Sequence, residues 1–256
     1  MPLVALVTYA PSSPCGHSSH YGAMPLAGKS AWRLVYMGNI LTVASGKGGV
    51  SKTSTVMILS VSLGIQGYRV AVIDADRNQS FASWYAQAYE GPKFTCCSEI
   101  DHIKIVDLAG ILAEKHDVVL VDTAGFESLT AASAIGMADF VMIPCMPDRG
   151  SVREAMRTAQ QVASLSKAAR RTIPYSILLT RWKPRGLSER ATLDSLHEEN
   201  LTIFDRTLGD LSDFTKLSFS GTVPTNGRVG EQVSSLILEL AQKGAIPAMR
   251  KGRKAA

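Results

Sequence analysis

The chain has 256 residues, 46% hydrophobic and 19% charged, which suits one large globular α/β domain with a sizeable core. No apolar run approaches the roughly 18–20 residues of a membrane-spanning helix, and Pro2–Val7 is too short and lacks the basic flank of a secretory signal. The net charge of +5 is unevenly divided. Residues 1–148 carry nine basic and twelve acidic side chains (−3), and residues 149–256 carry eighteen and ten (+8), a polarity suited to an anionic polymer or membrane surface met by the C-terminal half, or else to a solvated basic face.

Taken in order, residues 1–36 are Ser/Pro/Gly-rich without helix or strand period, and read as a disordered leader or as sequence upstream of a natural start at Met37. From Met37 strands and helices alternate, as a mostly parallel, doubly wound α/β sheet requires. The expected strands are Ile40–Ala44, Val70–Asp74, Ile103–Val106, Val118–Asp122, Phe140–Pro144 and Tyr175–Thr180. The expected helices are Thr53–Gln66, Phe81–Tyr89, Val152–Ala168, Leu187–Glu198 and Gly230–Gln242, with Ser151-Val152-Arg153-Glu154 as a capping box for the third. Residues 37–245 thus form one domain, followed by a basic tail at 246–256.

Three strand ends carry the chemistry. The first expected strand stops at Gly46-Lys47-Gly48-Gly49-Val50-Ser51-Lys52-Thr53-Ser54, the strand–loop–helix layout of a phosphate-binding loop. It matches G-x-x-x-x-G-K-[ST] except at Ser51, which stands where glycine is usual. Lys52 is expected on the β- and γ-phosphates and the Thr53 hydroxyl on Mg²⁺. Alone, the loop also reads as a damaged dinucleotide fingerprint or a tight turn. The second strand delivers Asp74 and Asp76 to the same edge. Carboxylates repel phosphate, so they suit a metal or an attacking water; Asp76, past the strand end, is the candidate for orienting that water, and a capping role for Asp74 is equally consistent. The third motif, Val118-Val119-Leu120-Val121-Asp122-Thr123-Ala124-Gly125, is a Walker B strand whose Asp122 holds Mg²⁺ through water. Lys52, Thr53 and Asp122 together have no job in a dinucleotide site, which leaves a nucleotide hydrolase.

Lys47-Gly48-Gly49-Val50-Ser51-Lys52-Thr53 resembles the K-G-G-x-x-K-[ST] hallmark of the ParA/MinD group of deviant Walker A ATPases, and the likeness runs from Met37 to the C-terminal helix. The resemblance implies an ATP- and Mg²⁺-dependent homodimer in which Lys47 reaches the partner's phosphates, so that hydrolysis is slow and releases the dimer. Asp74-Ala75-Asp76-Arg77-Asn78-Gln79 is similar to the D-x-D-P-x-Q segment of ParA partition proteins, with Arg77 in place of proline. The stretches Thr180–Ser188 and Val223–Glu231 resemble family segments with DNA-facing arginines, matched here by Arg185 and Arg228; Pro224 matches a proline bordering adenine, and Thr225 replaces an arginine. Lys183 and the Arg250–Lys254 tail add positive charge. The implied DNA contact is to phosphate, sequence-independent and salt-sensitive.

The resemblance therefore implies a cytoplasmic, nucleoid-associated partition ATPase for plasmid or chromosome segregation, or a variant assisting conjugative transfer, triggered by a ParB-like DNA-bound adaptor and without stable membrane association. The alternative is a MinD-like membrane-associated division-site regulator, which needs an amphipathic anchor; Val233–Leu240 has apolar spacing but no aromatics. An iron–sulfur relative would need bridging thiolates. Cys15, Cys96, Cys97 and Cys145 show no C-x-x-C spacing, and Cys15-Gly16-His17-Ser18-Ser19-His20 lacks a fourth ligand. A ligase using the same loop to phosphorylate a carboxylate is a further option, with no readable substrate pocket.

Overall fold

The structure is a computed structural model that describes residues 37–125, 128–210, 217, 219, 221, 222, 224 and 226–248. The expected leader at 1–36, residues 249–256 of the basic tail, Val223 and Thr225 lie outside them. Among the described residues the strands are β1 (Asn39–Val43), β2 (Val70–Ala75), β3 (Thr95–Ser98), β4 (Val118–Thr123), β5 (Phe140–Cys145) and β6 (Tyr175–Leu179). They form one sheet in the order β3-β2-β4-β1-β5-β6, and every neighbouring pair is parallel. The helices are α1 (Lys52–Ile65), α2 (Ser80–Gln87), α3 (Lys104–Lys115), α4 (Leu129–Met137), α5 (Arg149–Ala168), α6 (Leu187–Glu198) and α7 (Gly227–Gln242).

Every residue of β2, β4 and β5 is buried, which is why these strands read as continuous apolar runs rather than alternating ones. On one face Val72, Leu120 and Met142 pack with α1, α2 and α7 through Val56, Phe81 and Leu236. On the other, Ile73 and Val121 meet α3 and α4, while Ile143 and Ile177 meet α5 and α6. Parallel strands put all six C-terminal ends on one edge, and the chain reverses direction of strand addition at β1, between β4 and β5. That reversal opens a crevice where the loop after β1 begins, the usual ligand position in an open α/β sheet.

Three expectations are corrected. Ile103–Val106 is not a strand: the third strand is the short edge Thr95–Ser98, and the apolar residues belong to α3. Asp101 Oδ1 accepts from the Ile103 and Lys104 N–H groups at 2.8 and 3.0 Å, which starts a helix. The buried residues of α3, Ile105, Ala109, Leu112 and Ala113, then follow helical spacing. Second, α4 was unanticipated because its small side chains give no clear period. Third, Ser151 does not cap α5. Asp148 does, its Oδ1 accepting the Ser151 N–H at 2.9 Å, while Glu154 pairs with Arg157 instead of reaching back.

Val233, Leu236, Ile237 and Leu240 are buried, so the apolar face of α7 is spent on the core rather than left for a membrane. No helix among the described residues is long and apolar enough to cross one. The same helix pins the strand-like segment after α6: the buried Glu239 carboxylate accepts the backbone N–H groups of Asp205 and Arg206 at 2.8 and 2.9 Å. Glu239→Ala strands both donors and is expected to cost about 2–3 kcal/mol, roughly 4–10 °C in thermal midpoint, with nucleotide affinity unchanged; calorimetry showing no loss would remove this anchor from the account.

Candidate nucleotide site

The loop after β1 is built on left-handed backbone. Gly49 has φ +76°, which costs glycine nothing, and Ser51 has φ 71°, which costs a non-glycine residue about 1 kcal/mol or more. The glycine preference at the Ser51 position is therefore a matter of backbone sign as well as clearance for phosphate. From there α1 starts at Lys52, with the Thr55 N–H and hydroxyl both donating to the Ser51 carbonyl at 2.9 and 2.7 Å. The first turn of a helix leaves backbone N–H groups without intrahelical partners, the helix end that favours anions.

Lys52 is buried, and its ammonium donates to the Lys47 carbonyl at 3.0 Å. Burial lowers its pKa from the ordinary lysine value, opposed by attraction to Asp122 and Asp76. Asp122 ends the apolar part of β4 and is fully buried, and neither of its oxygens makes a well-formed hydrogen bond. Burial pushes its carboxyl up to about 7, against relief from the Thr53 hydroxyl and Lys52 and with added repulsion from Asp74 and Asp76. Asp74 lies directly opposite Asp122 in the parallel register. Its oxygens accept the Asp76 N–H at 3.1 Å and the Ala82 N–H at 2.9 Å, so the capping role read for it is realised: it fastens the turn and the start of α2. Burial holds its carboxyl above the usual range. Asp76 is half-buried and accepts the Asn78 N–H at 2.9 Å.

The loop after β4 closes against the first. A Cβ on Gly125 would stand 2.8 Å from the Gly48 Cα and 3.1 Å from Lys52 Nζ, so only glycine permits the approach. The hard oxygens of Thr53 and Asp122, one of them an orphaned buried carboxylate, suit a magnesium ion, and the Lys52 ammonium beside them suits the phosphates it would accompany.

Lys47 goes elsewhere. Its ammonium sits 2.7 Å from Asp148 Oδ1 and 3.1 Å from Ser151 Oγ, at the start of α5. Burial raises the Asp148 pKa, but the hydrogen bonds from Lys47 and Ser151 outweigh it and hold the carboxyl at about 2. Sequence reasoning did not single out Asp148, although it stands past a buried strand end as Asp76 does. Of the remaining residues, Arg185 and Arg228 are exposed, Pro224 is half-buried just before α7, and Lys183 Nζ is bound to Asp210 at 2.8 Å. Burial pushes the Cys145 thiol up to about 12, in keeping with a packing role.

The sequence profile of the VirC1 protein family matches residues 38–250. Protein ParA of Rhizobium radiobacter is 30% identical over 192 residues, spanning 72% of this chain and 84% of its own. The fold matches a variant of Cyanothece McdA in complex with ATP, with a TM-score of 0.69 and 17% identity over 85% of this chain and 99% of that one. It also matches the septum site-determining protein MinD of Pyrococcus horikoshii OT3 complexed with Mg-ADP, with a TM-score of 0.65 and 18% identity over 84% and 100%.

The isolation of Asp122 makes a stability prediction. Above a pH of about 7 the carboxylate is ionised against burial and two neighbouring aspartates, so Asp122→Asn is expected to raise the thermal midpoint of the magnesium-free protein by roughly 3–6 °C, about 1–2 kcal/mol. The same variant loses the added stability that magnesium and ATP confer together. A lower midpoint without ligand would mean that the charge is compensated.

Proposed function

The chain belongs to the VirC1 protein family, a branch of the ParA/MinD-type P-loop ATPases whose cofactors are ATP and Mg²⁺, and on that basis we propose that it is a slow, switching ATPase of partition or a related transport process. ATP closes two copies over the crevice, the closed dimer holds DNA without sequence preference, and a DNA-bound adaptor of ParB type triggers hydrolysis. The observation that carries this reading is the divergence of the two lysines in one loop: Lys52 is buried among the carboxylates of its own site, while Lys47 is held at the rim by Asp148.

In this mechanism Lys52 fixes the β- and γ-phosphates and Asp76 orients the attacking water. Thr53, and Asp122 through water, would hold the magnesium, which would supply neutralisation of the phosphate charge. Lys47 leaves Asp148 to meet the partner copy's phosphates, so its cation counts only when two subunits are together. Arg185 and Arg228 meet DNA phosphates; among the described residues neither has an ion-pair partner to surrender.

Two variants in that loop separate the roles. Lys52→Ala is expected to weaken ATP binding by roughly 10²-fold, whereas Lys47→Ala keeps ATP affinity within about threefold yet stays monomeric with ATP and loses most turnover. Sedimentation with ATP and magnesium decides it, since normal dimerisation of Lys47→Ala contradicts the role in trans. Arg228→Glu is expected to weaken retention on duplex DNA and to lower the salt slope by about 1, at unchanged ATP affinity; unchanged retention would remove Arg228 from the DNA surface.

A further inference from the structure

The loop after β6 carries three cations within five residues: Arg181, Lys183 and Arg185. All three are exposed, and the backbone that presents them is unusual. Arg181 has φ 51° and Arg185 φ 75°, two left-handed non-glycine residues in one short loop. The surroundings hold that conformation in place. The buried Trp182 donates its N–H to the Leu208 carbonyl at 3.0 Å, and the Asp210 N–H returns to the Trp182 carbonyl at 3.3 Å. The buried Glu189 carboxylate accepts the Lys183 N–H at 3.2 Å, and a Cβ on Gly186 would collide with it. The loop is thus a rigid platform, and its backbone is clamped alongside residues 208–210.

That clamp brings one carboxylate to the platform. Asp210 Oδ2 lies 2.8 Å from Lys183 Nζ, with both side chains partly in solvent, and Asp210 also attracts Arg181. Of the three cations, Lys183 is directly neutralised and Arg181 feels the same acid at longer range, and among the described residues Arg185 has no ion-pair partner. An exposed pair of this kind contributes only about 0–1 kcal/mol, too little to be needed for folding. Its consequence is electrostatic: a polyanion that takes Lys183 must displace Asp210 and leave that carboxylate beside its own phosphates.

We propose that Asp210 is an intrinsic restraint on nucleic-acid binding: it occupies Lys183 in the place of a DNA phosphate and so sets the affinity of the Arg181–Lys183–Arg185 platform for duplex DNA below what its cations alone would give. The inference rests on the DNA-binding reading proposed above. It adds Arg181 as a contact residue and makes Lys183 a conditional one.

The test is fluorescence anisotropy of the full chain with a labelled random-sequence duplex, ATP and magnesium, titrated at several potassium chloride concentrations. Asp210→Asn is expected to tighten binding about threefold to tenfold at moderate salt and to steepen the salt slope by about 1. Asp210→Glu, which keeps the charge, should match the wild type, and ATP affinity should be equal in all. Lys183→Ala alone is expected to change binding less than about twofold, yet to abolish the steepening when combined with Asp210→Asn. Arg181→Ala should weaken binding about threefold. A wild type that binds duplex while Asp210→Asn leaves affinity and slope unchanged overturns the restraint alone. Steepening that persists without Lys183 overturns the assignment to that lysine. A wild type that does not bind duplex at all overturns the DNA reading and this inference with it.

Discussion

A fully buried carboxylate without a well-formed hydrogen bond among the described residues sits at the end of β4, and the crevice is arranged around the cost of keeping it there. Ionised, Asp122 is disfavoured by burial and by two neighbouring aspartates, and only the Lys52 ammonium and the Thr53 hydroxyl offset this. A folded chain does not ordinarily leave such a group unsatisfied. The shortfall makes sense when a divalent cation is the missing partner, so the site gives up stability when empty in exchange for affinity when filled. The close approach of Gly125 to Gly48 and Lys52 belongs to the same arrangement, since it brings the end of the β4 loop against the phosphate-binding loop.

The second organising feature is the way cations at the rim are held. Lys47 rests on Asp148 and Lys183 on Asp210, each pair at hydrogen-bond distance and each partly exposed. In both, a carboxylate from a different loop holds an ammonium that the proposed function assigns to a phosphate. Pairs in this setting are weak enough to exchange and close enough to define a resting position. For Lys47 the exchange would be linked to a second subunit, for Lys183 to DNA. The energetic logic is the same: the net gain on binding is the phosphate contact less the carboxylate contact given up.

Much of the backbone strain lies along the same edge. Ser51, Gln79, Arg181 and Arg185 are left-handed without being glycine and lie in segments that follow a parallel strand, whereas Arg170 and Asn200, also left-handed, close the ends of α5 and α6. Regular sheet and helix account for the core; the left-handed residues at helix ends are ordinary C-terminal turns, and those after the strands lie beside the candidate site, where strained backbone is commonly found.

Much of this was readable along the chain. Continuous apolar runs marked the five buried strands, because strands covered on both faces need no alternation. The candidate residues Lys52, Thr53, Asp76 and Asp122 were legible from their places past strand ends, whereas Asp148 and Asp210 were not. Where reading failed, the signal was weak for a physical reason: β3 is a four-residue edge of Thr, Cys, Cys and Ser, and α4 is built largely of small residues without a polar face. The cap of α5 was misread by three residues because Ser151 and Asp148 both carry capping side chains, and only the backbone path shows which one leads.

The sequence by itself determined the residue types at each strand end and the chemistry they permit, because a loop's composition and spacing act locally. Only the tertiary structure decided their partners. Lys47 meets an aspartate 101 positions away, Asp122 makes no well-formed hydrogen bond among the described residues, and Lys183 meets Asp210 across a clamp of backbone hydrogen bonds. Those pairings depend on which loops the order of the sheet brings to one edge, and that order is settled by the packing of helices on both faces rather than by any short stretch of chain.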